Sequence, residues 1–265
     1  MILFIKRTIK FLLIQIINLY YGLLFRVQGI FHQKEGSLLI YTDSRGFLVN
    51  CILCNKTPYK SYVEKLSKKY RIHYKICPYK HTTILDFLDF VNNKNLKKYS
   101  SIVIHLGIVD FSPRPLSQLK LVFNKKLAIA KKIFPNLEMR PNYYEYIYEK
   151  EKTFSLYNLS VLQKILERMG KVSEETKIIW LGVNAVDLKW NGNYFKKRPS
   201  NINIILEYQN YIEKFFLENL FNIKYINIDK APGFKLKEHT VDNMHLSESG
   251  FNFFYKLILS SLNNK

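Results

Sequence analysis

Hydrophobic positions fall into distinct patterns along this chain. From Phe11 to Phe25 they run almost unbroken, interrupted by Gln15, Asn18 and Gly22. From Ser37 onward, short apolar runs alternate with longer stretches in which apolar residues recur every three or four positions. A short apolar run bounded by turn residues predicts a strand buried on both faces; the longer spacing predicts a helix with one buried face. Strands are therefore expected at Ser37–Thr42, Arg71–Ile76, Ser101–Leu106, Lys177–Leu181 and Ile223–Ile228. Helices are expected near Tyr59–Lys69, Ile84–Asn92, Leu116–Ile133, Leu156–Met169, Ile204–Leu220 and Glu248–Leu262. Alternating strands and helices imply right-handed crossovers and a parallel sheet covered on both faces. The expected fold class is α/β: a three-layer α/β/α domain over residues 33–265, with a five-stranded parallel sheet of order 2-1-3-4-5. An N-terminal apolar helix, residues 1–32, precedes it. Asn136–Thr153 is polar, rich in tyrosine and unpatterned, and reads as an insertion near the site.

The N-terminal segment raises the membrane question. Lys6, Arg7 and Lys10 lead into Phe11–Phe25, and no small-residue cleavage site follows. The uninterrupted run is shorter than the ~20 residues an untilted helix needs to span a bilayer. Arg7, Gln15, Asn18, Gly22 and Arg26 recur near the helical period as a narrow polar stripe. The reading favoured is an in-plane anchor with its cationic end at anionic headgroups. A helix packed on the domain and a true span are the alternatives.

Composition narrows the classes. With 48% apolar residues, a sizeable core is available and overall disorder is excluded. The net charge of +20 points to anionic partners without choosing among nucleic acid, acidic lipid and acidic glycan. Paired lysines such as Lys68-Lys69, Lys97-Lys98, Lys125-Lys126, Lys131-Lys132 and the cluster Lys196-Lys197-Arg198 are scattered, and no specific nucleic-acid motif accompanies them. Three cysteines are too few for a disulfide scaffold and suit a reducing compartment. Cys51-x-x-Cys54 is expected one turn apart on the first helix of the domain, as a buried apolar pair. Cys77 with His73 is too sparse a partner set for zinc, so no metal and no cofactor is expected.

Three segments stand at ends of expected strands, where ligands bind in open α/β sheets. They are Tyr41-Thr42-Asp43-Ser44-Arg45-Gly46, His105-Leu106-Gly107-Ile108-Val109-Asp110, and Val241-Asp242-Asn243-Met244-His245-Leu246 running to Gly250. Ser44 at the N-terminus of the following helix would have free N–H groups to steady an oxyanion. A serine hydroxyl is a poor nucleophile until a base accepts its proton; His245 is suited to that role, with Asp242 orienting its other ring nitrogen.

In this order and spread, the segments resemble the SGNH/GDSL hydrolase family. Asp43-Ser44 stands where that family has its Gly-Asp-Ser turn, and Asp242-x-x-His245 matches its last block. The resemblance implies a flavodoxin-like α/β/α fold and a catalytic set of Ser44, Asp242 and His245. Oxyanion and substrate contacts are expected from Gly107, Val109, Asp110, Arg114, Thr82 and Arg45. Two departures stand out. Val109 replaces the family's oxyanion-hole asparagine, a donor worth ~2.7–4 kcal/mol of barrier. His81 occupies the place of the second-block glycine. Arg114 offers a replacement donor or a clamp for an anionic substrate group, and Asp110 is expected to organise its loop.

Gly107-Ile108-Val109-Asp110 followed by Pro113-Arg114 resembles a subgroup associated with bacterial surface-polysaccharide biosynthesis. The implied function is a serine-dependent acyl-ester hydrolase acting on an acylated glycan. A glycan O-acyltransferase with the same triad, or a silent glycan-binding scaffold, are the alternatives. The implied location is membrane-associated, at the cytoplasmic face of a bacterial inner membrane.

Overall fold

The computed structural model describes residues 2–31, 35–51, 54–190, 196 and 198–263. In chain order the elements are α1 (Ile2–Phe31), β1 (Ser37–Thr42), α2 (Tyr62–Ser67), β2 (Arg71–Ile76), α3 (Ile84–Val91), β3 (Ser101–His105), α4 (Ile108–Phe111), β4 (Arg114–Pro115) and α5 (Leu116–Ile133). Then follow β5 (Asn142–Tyr148), β6 (Glu151–Ser155), α6 (Leu159–Ser173), β7 (Lys177–Leu181), α7 (Ile205–Asn219), β8 (Ile223–Ile226), α8 (Leu236–His239) and α9 (Glu248–Asn263). The main sheet is parallel with order β2-β1-β3-β7-β8, which is the expected 2-1-3-4-5.

Alternating side chains of these strands feed two cores. Leu39, Tyr41, Ile102, Ile104, Ile178 and Trp180 pack beneath α3, α5, α6 and α7. Leu38, Ile40, Val103, Ile179 and Leu181 pack beneath α1, α2 and α9. Burial on both faces explains why these strands are continuous apolar runs, each large side chain contributing about 1.5–3 kcal/mol.

Helix starts shift from the expected positions where a cap intervenes. α2 starts at Tyr62, because Ser61 Oγ accepts the N–H of Val63. α6 starts at Leu159, because Asn158 Oδ1 accepts the N–H of Val161. Leu156 and Tyr157, expected in that helix, are buried in the approach to it.

The segment read as unpatterned is ordered. β5 and β6 form an antiparallel hairpin, and β4 joins it as a third strand. Its turn places Glu149 and Lys150 at positive φ, 51° and 65°. Asn-Gly is the usual signal for such a turn; here two charged residues adopt it, so the sequence carries no hairpin signature. The ribbon carries Arg114 at its edge, paired with Phe154.

α1 docks on the domain through one face. Ile14, Tyr21 and Phe25 are buried. Tyr74 donates its hydroxyl to the Asn18 carbonyl (3.2 Å), and Tyr21 donates to Glu64 (3.3 Å). The opposite face exposes Ile16, Leu19, Leu23 and Val27. The window Phe11–Gln28 is long and apolar enough, by length and composition, to cross a membrane.

Candidate active site

Ser44 opens a single 3-10 turn, Ser44–Gly46, rather than the longer helix expected after β1. As the first residue of the turn it has no acceptor for its N–H inside the turn. The turn is locked from behind. Asp43 caps it by accepting the N–H of Arg45 (2.9 Å) and holds the Arg45 guanidinium at Nε and Nη2. Arg45 Nη1 donates to the Gly182 carbonyl after β7 (2.9 Å), and the Asp43 N–H donates to His105 O (3.0 Å). Gly46 is required here, since a Cβ would lie 2.0 Å from Thr42 Oγ1.

The last block forms an equally constrained loop before α9. Val241 N–H donates to the His245 carbonyl (2.8 Å), and a bridge joins Thr240 to Leu246. Asn243 turns the chain at φ 81°, a left-handed conformation that asparagine tolerates better than most residues. Its amide donates to Asp187 O, while Asn184 donates to its carbonyl. Gly250 lets α9 approach closely; a Cβ there would lie 2.0 Å from the His239 carbonyl oxygen.

These two loops bring the three expected residues into one chain of hydrogen bonds. Ser44 Oγ lies 3.0 Å from His245 Nε2, and His245 Nδ1 lies 2.8 Å from Asp242 Oδ2. A carboxylate only accepts, so Nδ1 carries the proton and Nε2 is left to accept from the serine. Burial alone would raise the Asp242 carboxyl, but the hydrogen bond from the His245 side chain, with those from the N–H groups of His245 and Met244, holds it below its ordinary value. The arrangement can take a proton from Ser44 as its oxygen attacks and stabilise the imidazolium that forms.

Ser44 and His245 open into a pocket of about 390 Å³. His81, Val109 and Arg114 line it as well, so all three segments at the strand ends, with His81 between the first two, contribute to it. His81 does not have positive φ, so it takes the glycine's place without left-handed backbone strain. Arg114 Nη1 donates to the Val109 carbonyl (2.7 Å), tying the loop on which the asparagine is missing.

Four expected binding residues are not among the pocket's lining. Arg45 is fully buried and bound by Asp43, so it fixes the turn instead of meeting substrate. Thr82 is buried and exchanges hydrogen bonds with Tyr79. Gly107 takes φ 119° at the start of α4, a turn made possible by the lack of a Cβ. Asp110 is buried and accepts the Ile84 N–H (3.0 Å) and the Tyr157 hydroxyl (2.9 Å), which organises the loop. Burial outweighs the two hydrogen bonds that favour the charge and pushes its carboxyl up to about 7.

The sequence did not single out Lys80, Gln118 or Arg198 for this site. Arg198 is in the loop before α7 and donates Nη1 to Gln118 Oε1 (3.1 Å). It was legible only as part of a basic cluster, because the pocket is assembled across distant segments. The cysteines also differ from expectation. Cys51 and Cys54 follow the Ser44–Gly46 turn, neither is in an α-helix, and they form a disulfide. Cys77 is free and buried. Among the described residues, no group of three or more His, Cys, Asp or Glu is placed to hold a metal ion.

No protein-family model matches the sequence, and no curated protein matches it. Solved structures do. A protein from Lactobacillus plantarum superposes with TM-score 0.52 at 10% identity, over 88% of this chain and 98% of its own. A GDSL-like lipase from Bacteroides thetaiotaomicron gives 0.50 at 14% identity, over 89% of this chain and 94% of its own. A carbohydrate acetylesterase from Sinorhizobium meliloti gives 0.50 at 10% identity, over 86% of this chain and 98% of its own. The fold is therefore that of the SGNH/GDSL hydrolases.

Proposed function

We propose that this chain is a serine-dependent acyl-ester hydrolase. The observation that carries the reading is the continuous Asp242–His245–Ser44 hydrogen-bond chain opening into the pocket. Ser44 attacks the ester carbonyl while His245 takes its proton; His245 then gives that proton to the departing alcohol. Water, deprotonated by His245, releases the acid from the acyl-enzyme. The Ser44 N–H is a natural oxyanion donor, and Val109 contributes no side-chain donor.

An acylated carbohydrate is the proposed substrate class. Support comes from the Gly-Ile-Val-Asp and Pro-Arg signature at Gly107–Asp110 and Pro113-Arg114, and from the fold shared with a carbohydrate acetylesterase. The setting proposed is surface-polysaccharide biosynthesis at a bacterial membrane, to which the exposed apolar face of α1 would attach the domain. The expected cytoplasmic side is at odds with the Cys51–Cys54 disulfide, a bond that persists in oxidising compartments.

A silent glycan-binding protein is the second reading, favoured by the valine at the asparagine's place. Release of acetate from an O-acetylated sugar by the wild type and not by Ser44→Ala supports the hydrolase. Binding of the sugar with no acetate release supports the silent protein. Transfer of the acetyl group to a second sugar, faster than its release to water, would assign the O-acyltransferase.

A further inference from the structure

Attack of Ser44 Oγ on an ester carbonyl forms an oxygen–carbon bond while an electron pair of the C=O moves onto the carbonyl oxygen. That oxygen then carries negative charge, and each donor already aimed at it lowers the barrier. The Ser44 N–H offers a backbone donor, whereas position 109 offers no side-chain donor because it is valine. A side-chain donor has to come from elsewhere on the wall of the pocket that Ser44 lines.

Most polar side chains of that wall are tied to the protein or to each other. Ser112 donates its hydroxyl to the Ile108 carbonyl. Arg114 Nη1 donates to the Val109 carbonyl, and Arg198 Nη1 donates to Gln118 Oε1. Lys80 is exposed. His81 differs from these. It is half-buried on the wall that Ser44, Val109 and His245 share. Among the described residues, no hydrogen bond joins its ring to another group.

The backbone on both sides of His81 is fixed. Thr82 Oγ1 accepts the Tyr79 N–H (3.2 Å) and donates to the Tyr79 carbonyl (3.0 Å). Thr83 and Asp86 then cap α3 reciprocally: the Thr83 N–H donates to Asp86 Oδ2 (2.7 Å), and Thr83 Oγ1 accepts the Asp86 N–H (3.4 Å). A donor carried on so rigid a segment needs no reorganisation when charge develops. Its protonation state suits the same task. Burial pushes the imidazole down, with Arg114, Lys80, Lys126 and Lys125 acting in the same direction, to about 4. At neutral pH the ring is uncharged, with one nitrogen donating and the other able to accept. A neutral imidazole can act as an electrophile toward an oxygen that gains charge.

We propose that the His81 imidazole donates a hydrogen bond to the oxyanion formed when Ser44 attacks, the role that a side chain at position 109 cannot fill. The proposal rests on the reading of Ser44 as the nucleophile and adds a catalytic residue to it. No proton leaves His81 in this step. The serine proton goes to His245, and the bond from His81 strengthens as the carbonyl oxygen gains charge. When the C=O re-forms, the alcohol departs with the proton from His245 and the bond from His81 weakens again. An interaction that is strongest in the transition state acts on kcat more than on KM.

The test uses the full chain, p-nitrophenyl acetate as substrate, and phenylboronic acid, which adds to Ser44 Oγ as a tetrahedral anion. His81→Phe keeps a ring and removes the N–H; His81→Gln keeps an N–H. His81→Phe should lower kcat by ~10²–10³-fold with KM little changed, as loss of one oxyanion donor does. It should also weaken inhibition by phenylboronic acid by at least ~10-fold. His81→Gln should recover part of both losses, and both variants should melt near the wild-type temperature. A further readout does not depend on either variant folding: in the wild type, the ring N–H proton of His81 should move downfield in the NMR spectrum when phenylboronic acid binds. Wild-type kcat in His81→Phe, equal losses in the two variants, or an unmoved ring proton in the boronic acid complex overturns the proposal. If His81→Phe keeps the wild-type rate while Ser44→Ala is inactive, the nucleophile reading stands and only the role of His81 falls. Wild-type protein that neither turns over the ester nor binds phenylboronic acid overturns the nucleophile reading, and this proposal with it.

Discussion

Ser44 Oγ and His245 Nε2 lie 3.0 Å apart although 201 residues separate them in the chain. The contact exists because β1 and the loop before α9 both end at the same edge of the sheet. Each loop is held by its own backbone and side-chain hydrogen bonds, so the pair is set by the fold.

Removal of the proposed nucleophile, Ser44, should therefore abolish turnover without unfolding the protein. Ser44→Ala is expected to lower kcat on a short-chain p-nitrophenyl ester by at least ~10³-fold. Asp242→Asn should cost ~10³–10⁴-fold, since it spoils the tautomer while leaving the ring in place. Steady-state rates and thermal melts of both purified variants check this; unchanged turnover in Ser44→Ala would remove Ser44 from the mechanism.

Arg45 should behave as a structural residue. Its loss leaves the Asp43 carboxylate buried and uncompensated, at a cost of about 3–5 kcal/mol. Arg45→Ala should melt well below the wild type, and replacing both partners, Asp43→Asn with Arg45→Met, should recover part of that loss. A melt unchanged in Arg45→Ala would show that the buried pair does not hold the turn.

Asp110 gives the protein a pH dependence of known sign. Its ordinary value is 3.8 and its folded value about 7. Between those limits the folded chain keeps a proton that the unfolded chain has released, so stability falls as pH rises through the window and levels off above about 7. Asp110→Asn retains an acceptor for Ile84 N–H and the Tyr157 hydroxyl. Denaturant midpoints at about pH 5 and about pH 8 should show a drop in the wild type that is smaller in the variant, on the order of a few kcal/mol at most. Identical profiles would mean that Asp110 titrates normally in the fold.

The outward face of α1 is the expected membrane contact. Ile16, Leu19 and Leu23 are exposed, while Ile14, Tyr21 and Phe25 hold the helix to the domain. Replacing the three exposed residues by serine should weaken sedimentation with anionic vesicles by at least ~10-fold. The domain should melt near the wild-type temperature, because surface changes usually cost about 0.5 kcal/mol or less. Wild-type protein that ignores vesicles at low salt would end this assignment.

Much of this structure was legible in the sequence, for a physical reason. Strands such as Ile102–Ile104 and Ile178–Trp180 are buried on both faces, so they appear as continuous apolar runs. The Asp242-x-x-His245 spacing was legible because both partners sit on one short loop. The β5–β6 hairpin was not, since Glu149 and Lys150 make its turn without glycine or asparagine. Arg198 was equally hidden; nothing local in its sequence neighbourhood says that tertiary folding brings it to the pocket that Ser44 lines. Arg45 misled because a charge beside a nucleophile suggests substrate, whereas here it is taken up by its own neighbour two residues away.

The central claim is that His245 activates Ser44 as a nucleophile. Full-length protein treated with a fluorophosphonate and digested should carry one phosphonyl adduct on the peptide containing Ser44, found by mass spectrometry. His245→Ala should slow labelling by at least ~10²-fold, as removal of a general base requires. Ser44→Ala should carry none. No adduct on Ser44, or labelling as fast in His245→Ala as in the wild type, would contradict the account.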